Sequence, residues 1–225
     1  MNSLAQSTGA PIRVLTHSQG GLNMQWALTF FPSTRANTFA FAALAPDYRG
    51  TTGGNLTTTL PQLPGGGGVA AVLQQGANSN YVQALARHGG LNAHVPTSNI
   101  YTLKDNIVQP ESGPLATSVL SGAQAVNVPI QAICPLRLDD HFQVVIDVIS
   151  EYLVLQAFSS SSGKADPSAV LPLSADLCAK ILPQFTDVDS ILLFTTSSLV
   201  ALLLTLIGTP GNYVPTEPPL MAYAQ

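Results

Sequence analysis

Two periodicities of apolar residues alternate along this chain, and the alternation predicts a layered architecture. Residues 11–16 are a short apolar run of buried-strand character that passes directly into a tight turn, His17-Ser18-Gln19-Gly20-Gly21. From 22 to 31 the apolar residues fall at helical spacing, with Pro32 just beyond the end. A second apolar run, 39–45, predicts another buried strand and closes on Pro46-Asp47. Residues 50–68, rich in Gly, Thr and Pro, read as surface loop. A helix is predicted over 69–87, where His88-Gly89-Gly90 stops it, and a strand over 99–103 delivers Asp105 at its end. A strand over 124–133 and a helix over 142–158 complete the pattern, with His141 in the loop between them and a flexible break at 159–163.

Strands alternating with helices predict an α/β fold: a mainly parallel sheet flanked by helices on both faces. In such sheets the chemistry collects at the C-terminal ends of the strands. The 225 residues fit one domain, 1–225, long enough to bury a sizeable core. The most apolar stretch is 191–207. A membrane span needs roughly 20 apolar residues. This run is shorter and carries Thr195, Thr196, Ser197, Ser198 and Thr205, so no transmembrane span is expected. A buried core helix and a partly exposed apolar helix beside an active-site mouth are the two readings that remain.

Composition narrows the function classes. Charged residues make up 9% of the chain, against roughly 25% in an average soluble domain. With 8 Lys and Arg and a net charge of −4, the chain lacks the basic surface that nucleic acid requires. No Cys/His cluster has metal-ligand spacing, so neither a metal nor an organic cofactor is expected. Cys134 and Cys178 fit either two buried thiols or one disulfide, and the count leaves both open. The sequon Asn55-Leu56-Thr57 is compatible with secretion, yet residues 1–11 show neither a basic nor an apolar signal-peptide region.

The chemistry-bearing residues follow from the strand–turn–helix at 11–31. Ser18 sits where a strand turns sharply into a helix, the requirement of a nucleophile elbow, and Gly20 and Gly21 supply the small neighbours that close packing demands. Thr16 stands where the general pattern has Gly. The helix N-terminus beneath the turn favours a developing oxyanion. A serine hydroxyl is a weak nucleophile without a base and an orienting acid. In the chain order Ser, acid, His, Asp105 and His141 both reach the rim that carries Ser18. Asp47 also tops a strand and rivals Asp105, whereas Asp139 and Asp140 adjoin His141 too closely to orient it. Of the other histidines, His17 diverges from its neighbour on the elbow, His88 suits helix capping and His94 suits a surface loop.

The run Val14-Leu15-Thr16-His17-Ser18-Gln19-Gly20-Gly21, with Gln25-Trp26 and Leu28-Thr29-Phe30-Phe31-Pro32-Ser33, resembles the Candida antarctica lipase B type of fungal lipases, within the α/β-hydrolases. So do Ala45-Pro46-Asp47-Tyr48-Arg49-Gly50-Thr51, Asp105-Asn106-Ile107-Val108-Gln109-Pro110, Asp140-His141 and Pro219-Leu220-Met221-Ala222-Tyr223-Ala224, in the same order. The resemblance implies a triad of Ser18 as nucleophile, Asp105 as acid and His141 as base, with the Gln19 amide in the oxyanion hole. It makes Asp47 a pocket residue, lined up with Thr51 and Gln75 on the acyl side. Ile107, Val108 and the 191–207 helix would form the apolar entrance. It also implies a Cys134–Cys178 disulfide, secretion, a lipid or ester substrate and a lipid–water interface as partner.

Two departures matter. His17 stands where the family has Trp, which should widen the alcohol-side pocket. Family members also carry an N-terminal segment with the first strands and one side of the oxyanion hole, so the resemblance implies an N-terminally truncated version here. Losing one oxyanion donor typically costs roughly 10²–10³ in kcat. The expected activity is therefore a serine-dependent lipase or carboxylesterase. A short-chain esterase and a catalytically impaired lipid-surface binding protein are the alternatives.

Overall fold

A computed structural model describes residues 1–52, 68–180 and 213–225. The central sheet has four strands, β1 (Ile12–His17), β2 (Thr38–Leu44), β4 (Thr97–Tyr101) and β5 (Ala125–Pro129), in the order β1-β2-β4-β5. Every pairing in it is parallel. A two-residue strand, β3 (Gly68–Val69), pairs antiparallel with β6 (Tyr213–Val214) away from this sheet. The helices are α1 (Asn2–Thr8), α2 (Gln19–Phe30), α3 (Ser33–Ala36), α4 (Ala70–Gln74), α5 (Asn80–Arg87), α6 (Val148–Ser159), α7 (Pro167–Val170) and α8 (Ser174–Ala179).

The core has two sides because side chains alternate along β2. Ala42 and Leu44 join Ile100, Val128 and, from α6, Ile149 and Leu153. Phe41 and Ala43 point the other way and pack with Met24 and Leu28 of α2. Trp26, also on α2, stacks on Tyr81 with ring centroids 3.8 Å apart and links that helix to α5. Both faces of the sheet are thus covered by helices, which is why its central strand reads as a near-continuous apolar run. Among the described residues β1 pairs only with β2, and its Leu15 is 52% exposed.

Three elements differ from the periodicity reading. The helix predicted over 69–87 is two helices, α4 and α5, separated by a turn. Ser79 starts the second by accepting a hydrogen bond from the Val82 amide, and the Thr51 amide bonds the Gln75 carbonyl inside the break. The helix predicted over 142–158 is interrupted at Asp147, whose carboxylate caps the Ile149 and Ser150 amides and pairs with Arg137 at 2.9 Å. A buried acid in an apolar run marks a cap, not a continuation. Residues 1–11, read only as small and polar, include α1, which ends at Gly9 in the left-handed region (φ 67°). The loop residues 53–67, with the sequon at Asn55, and the apolar run 191–207 lie outside the described residues.

Candidate active site

The site is assembled at the C-terminal ends of the strands. Ser18 immediately follows β1 and caps α2 with φ 55° and ψ −129°, a backbone conformation that side-chain-bearing residues seldom adopt. Close packing holds it there. A Cβ on Gly21 would come within 2.5 Å of Pro46 Cβ, and one on Gly20 would meet Thr16 Cβ at 3.2 Å. The missing Cβ of Gly20 leaves room for Thr16 on β1, the strand that runs into the turn. The first amides of a helix have no intrahelical acceptor. Those of α2, beginning with Gln19, directly follow Ser18 in the chain.

Three side chains distant in sequence meet here. His141 Nε2 lies 2.9 Å from Ser18 Oγ, and His141 Nδ1 lies 2.7 Å from Asp105 Oδ2. Asp105 is 3% and His141 2% exposed, so the acid–imidazole pair is shielded from water. The second oxygen of Asp105, Oδ1, accepts the amides of Ile107 (2.8 Å) and Val108 (2.7 Å). The carboxylate is therefore held at both oxygens, and only one rotamer presents it to the imidazole. With Asp105 accepting at Nδ1, the neutral ring carries its proton there and leaves Nε2 free to accept from Ser18.

The loop that carries His141 is clamped outside the site. The disulfide between Cys134 and Cys178 ties its start to α8. Arg137 pairs with Asp147 and donates to the Leu177 and Lys180 carbonyls. Thr102 donates to the Asp139 carbonyl at 2.6 Å, and Asp140 accepts the Phe142 and Gln143 amides. Of the remaining histidines, His88 bonds the Ala84 carbonyl at 2.9 Å at the end of α5, and half-buried His94 lies 3.3 Å from Thr29 Oγ1.

His17 does not diverge from the site. Its ring lies 4.7 Å from that of His141, and its Nε2 is 2.9 Å from the His141 carbonyl oxygen. A carbonyl only accepts, so His17 Nε2 carries the hydrogen. Burial first, then the neighbouring His141, push the pKa of His17 down to about 4, so it is neutral at physiological pH. Asp47 is fully buried with no hydrogen-bond partner for either carboxyl oxygen among the described residues, and burial pushes its pKa up to about 7. The hydrogen bond to His141 Nδ1 comes from Asp105, and among the described residues Asp47 makes none to that ring.

The other pocket candidates share one corner. Thr51 Oγ1 donates to the Ile107 carbonyl and accepts the Gln109 amide, and its backbone bonds Gln75. Gln75 turns its own amide to the Ala71 carbonyl. The Val108 side chain is buried and that of Ile107 half-buried. Sequence reasoning missed Glu111, a buried acid whose pKa burial pushes up to about 9. Its only signal was a carboxylate directly after Pro110, which looks the same as a solvated loop acid. No group of His, Cys, Asp and Glu that could hold a metal occurs among the described residues.

No family model matches this chain. It is 40% identical to Lipase B of Pseudozyma antarctica over 165 residues, 72% of this chain and 46% of that protein. It superposes on the crystal structure of Aspergillus fumigatus lipase B with a TM-score of 0.88 at 32% identity, covering 100% of this chain and 53% of that one. The chain has an α/β-hydrolase fold of the lipase B type. It spans about half the length of the lipase B relatives it matches. Among the described residues no helix is long and apolar enough to cross a membrane.

Proposed function

We propose that this chain is a serine-dependent lipase or carboxylesterase that hydrolyses acylglycerols and other apolar esters through an acyl-enzyme. One observation carries the reading: a continuous hydrogen-bond relay, Asp105 to His141 to Ser18, at 2.7 and 2.9 Å, that ends on a serine held in a strained elbow. His141 Nε2 takes the Ser18 proton as Oγ attacks the ester carbonyl carbon. The carbonyl electrons move onto oxygen, where the Gln19 amide and the α2 N-terminus stabilise them. The tetrahedral adduct collapses, the alcohol leaves with the proton from His141, and an acyl ester remains on Ser18. Water then gives a proton to the same nitrogen, attacks the acyl carbon and releases the acid, and Ser18 recovers its hydrogen.

Asp47, Thr51, Gln75, Ile107 and Val108 form the acyl side of this reading and His17 the alcohol side. Leu103, Leu136 and Leu138, at 43%, 92% and 75% exposure, project from the two loops that carry Asp105 and His141. Exposed apolar tips on the loops that supply Asp105 and His141 favour a lipid–water interface as the working surface. The disulfide favours secretion, since such bonds persist in oxidising compartments.

The test is hydrolysis of p-nitrophenyl butyrate by the purified chain beside Ser18→Ala, with circular dichroism on both. Turnover that vanishes in the variant while both stay folded supports the assignment. Turnover that survives the substitution refutes it, and a folded wild-type chain with no turnover favours a lipid-binding protein. Turnover that rises above the solubility limit of a longer ester separates a lipase from a short-chain esterase.

A further inference from the structure

A second cavity lies apart from the Ser18 site, and none of Ser18, Asp105 and His141 lines it. Its volume is about 400 Å³, within the range of small-molecule pockets. Most of its wall is apolar: Ala77 before α5, Val82 and Ala86 on α5, and Leu91 and Leu115 from the flanking loops. One cation, Arg49, joins that wall.

Among the described residues, Arg49 is only partly used. Its Nη1 group donates to the carbonyls of Ala116 and Val119, and so fastens the 116–119 segment. A guanidinium has five N–H donors. The Nε hydrogen and both Nη2 hydrogens have no acceptor among the described residues, and no carboxylate pairs with it there. The group is half-buried, and burial alone pushes its pKa down, with no opposing charge to compensate. It remains cationic. The unused Nε–H and Nη2–H lie along one edge of the guanidinium, the edge that matches two carboxylate oxygens.

We propose that this cavity binds a medium-chain fatty acid as its carboxylate, with the head on the free edge of Arg49 and the alkyl chain along Val82, Ala86, Leu91 and Leu115. Such an acid is the product class of the reaction assigned to Ser18, so the site is suited to retain released acid or to answer to its accumulation. Binding itself does not depend on Ser18 chemistry. An alcohol of the same length presents the same chain to the same wall but cannot use the charged edge.

The experiment is equilibrium dialysis of the full chain with decanoate and, separately, decanol, at neutral pH. Arg49→Lys keeps the charge and removes the fork. Ala86→Leu fills the cavity from a helical position and leaves Arg49 intact. Decanoate should bind about tenfold or more tightly than decanol, the size of one charge-assisted hydrogen bond. Each variant should lose a comparable factor for decanoate while its circular dichroism and p-nitrophenyl butyrate turnover match the parent. Decanol binding as tightly as decanoate, or wild-type decanoate affinity in folded Ala86→Leu, overturns the proposal. A parent that binds decanoate at this site but hydrolyses nothing leaves the binding site standing and removes the hydrolase reading.

Discussion

Replacing Glu111 with Gln should stabilise this protein, and more so as pH rises. Glu111 is 6% exposed; its Oε1 lies 2.8 Å from Ser118 Oγ, and its Oε2 has no partner among the described residues. Ser118 Oγ is also 2.7 Å from the Pro46 carbonyl. A hydroxyl has one hydrogen. Ser118 shares that hydrogen between the Pro46 carbonyl and Glu111 Oε1, so it opposes the burial of the carboxylate only in part. Burial raises the Glu111 pKa from 4.5 to about 9, and Asp105 and Asp47 add to the rise.

The sign follows from proton counts. Between these values the unfolded chain has released a proton that the folded chain keeps, so stability falls as pH rises through this window. Each unit is worth about 1.36 kcal/mol. At pH 8 the penalty reaches about 5 kcal/mol, less whatever the site recovers by relaxing around the charge. Glutamine keeps the shape, donates to Ser118 and never ionises.

The variant should therefore match the parent near pH 4.5 and exceed it by about 2–5 kcal/mol at pH 8. For a chain of this size that is at least roughly 5 °C in Tm. Asp47, whose pKa burial raises to about 7, contributes slope to both proteins, and only its coupling to Glu111 survives in the difference. The assay is thermal or urea unfolding of both proteins from pH 4.5 to 9. Parallel stability curves would refute the reasoning, because they would mean that Glu111 carries the same charge folded and unfolded.

Two further outcomes concern the candidate site. Asp105→Asn should preserve the Ile107 and Val108 amide bonds through its carbonyl oxygen while turning an N–H toward His141 Nδ1. That favours the wrong imidazole tautomer, and ester turnover should fall by roughly 10⁴ with circular dichroism unchanged; a loss below tenfold would remove Asp105 from the relay. His17→Trp replaces a small ring beside His141 with a larger one and should lower the rate on bulky secondary-alcohol esters relative to primary ones. An unchanged ratio between the two substrates would show that position 17 does not bound the alcohol side.

The parts of this protein legible in its sequence are those governed by neighbours along the chain. Apolar periodicity located the four strands of the main sheet and α2, and the glycines at 20 and 21 marked the elbow, because both signals act over a few residues. Chain order restricted the relay to Ser18, His141 and one of two acids. The tertiary structure decided what depends on residues far apart. Asp105 reaches His141 across 36 positions because its loop is pinned through Ile107 and Val108, whereas Asp47, equally well placed at a strand end, makes no hydrogen bond to the ring among the described residues. The breaks at 75–79 and Asp147, the burial of Glu111 and the half-used guanidinium of Arg49 were invisible for the same reason. Whether a polar side chain is solvated or enclosed is set by segments that arrive from elsewhere in the chain, and no local pattern records their arrival.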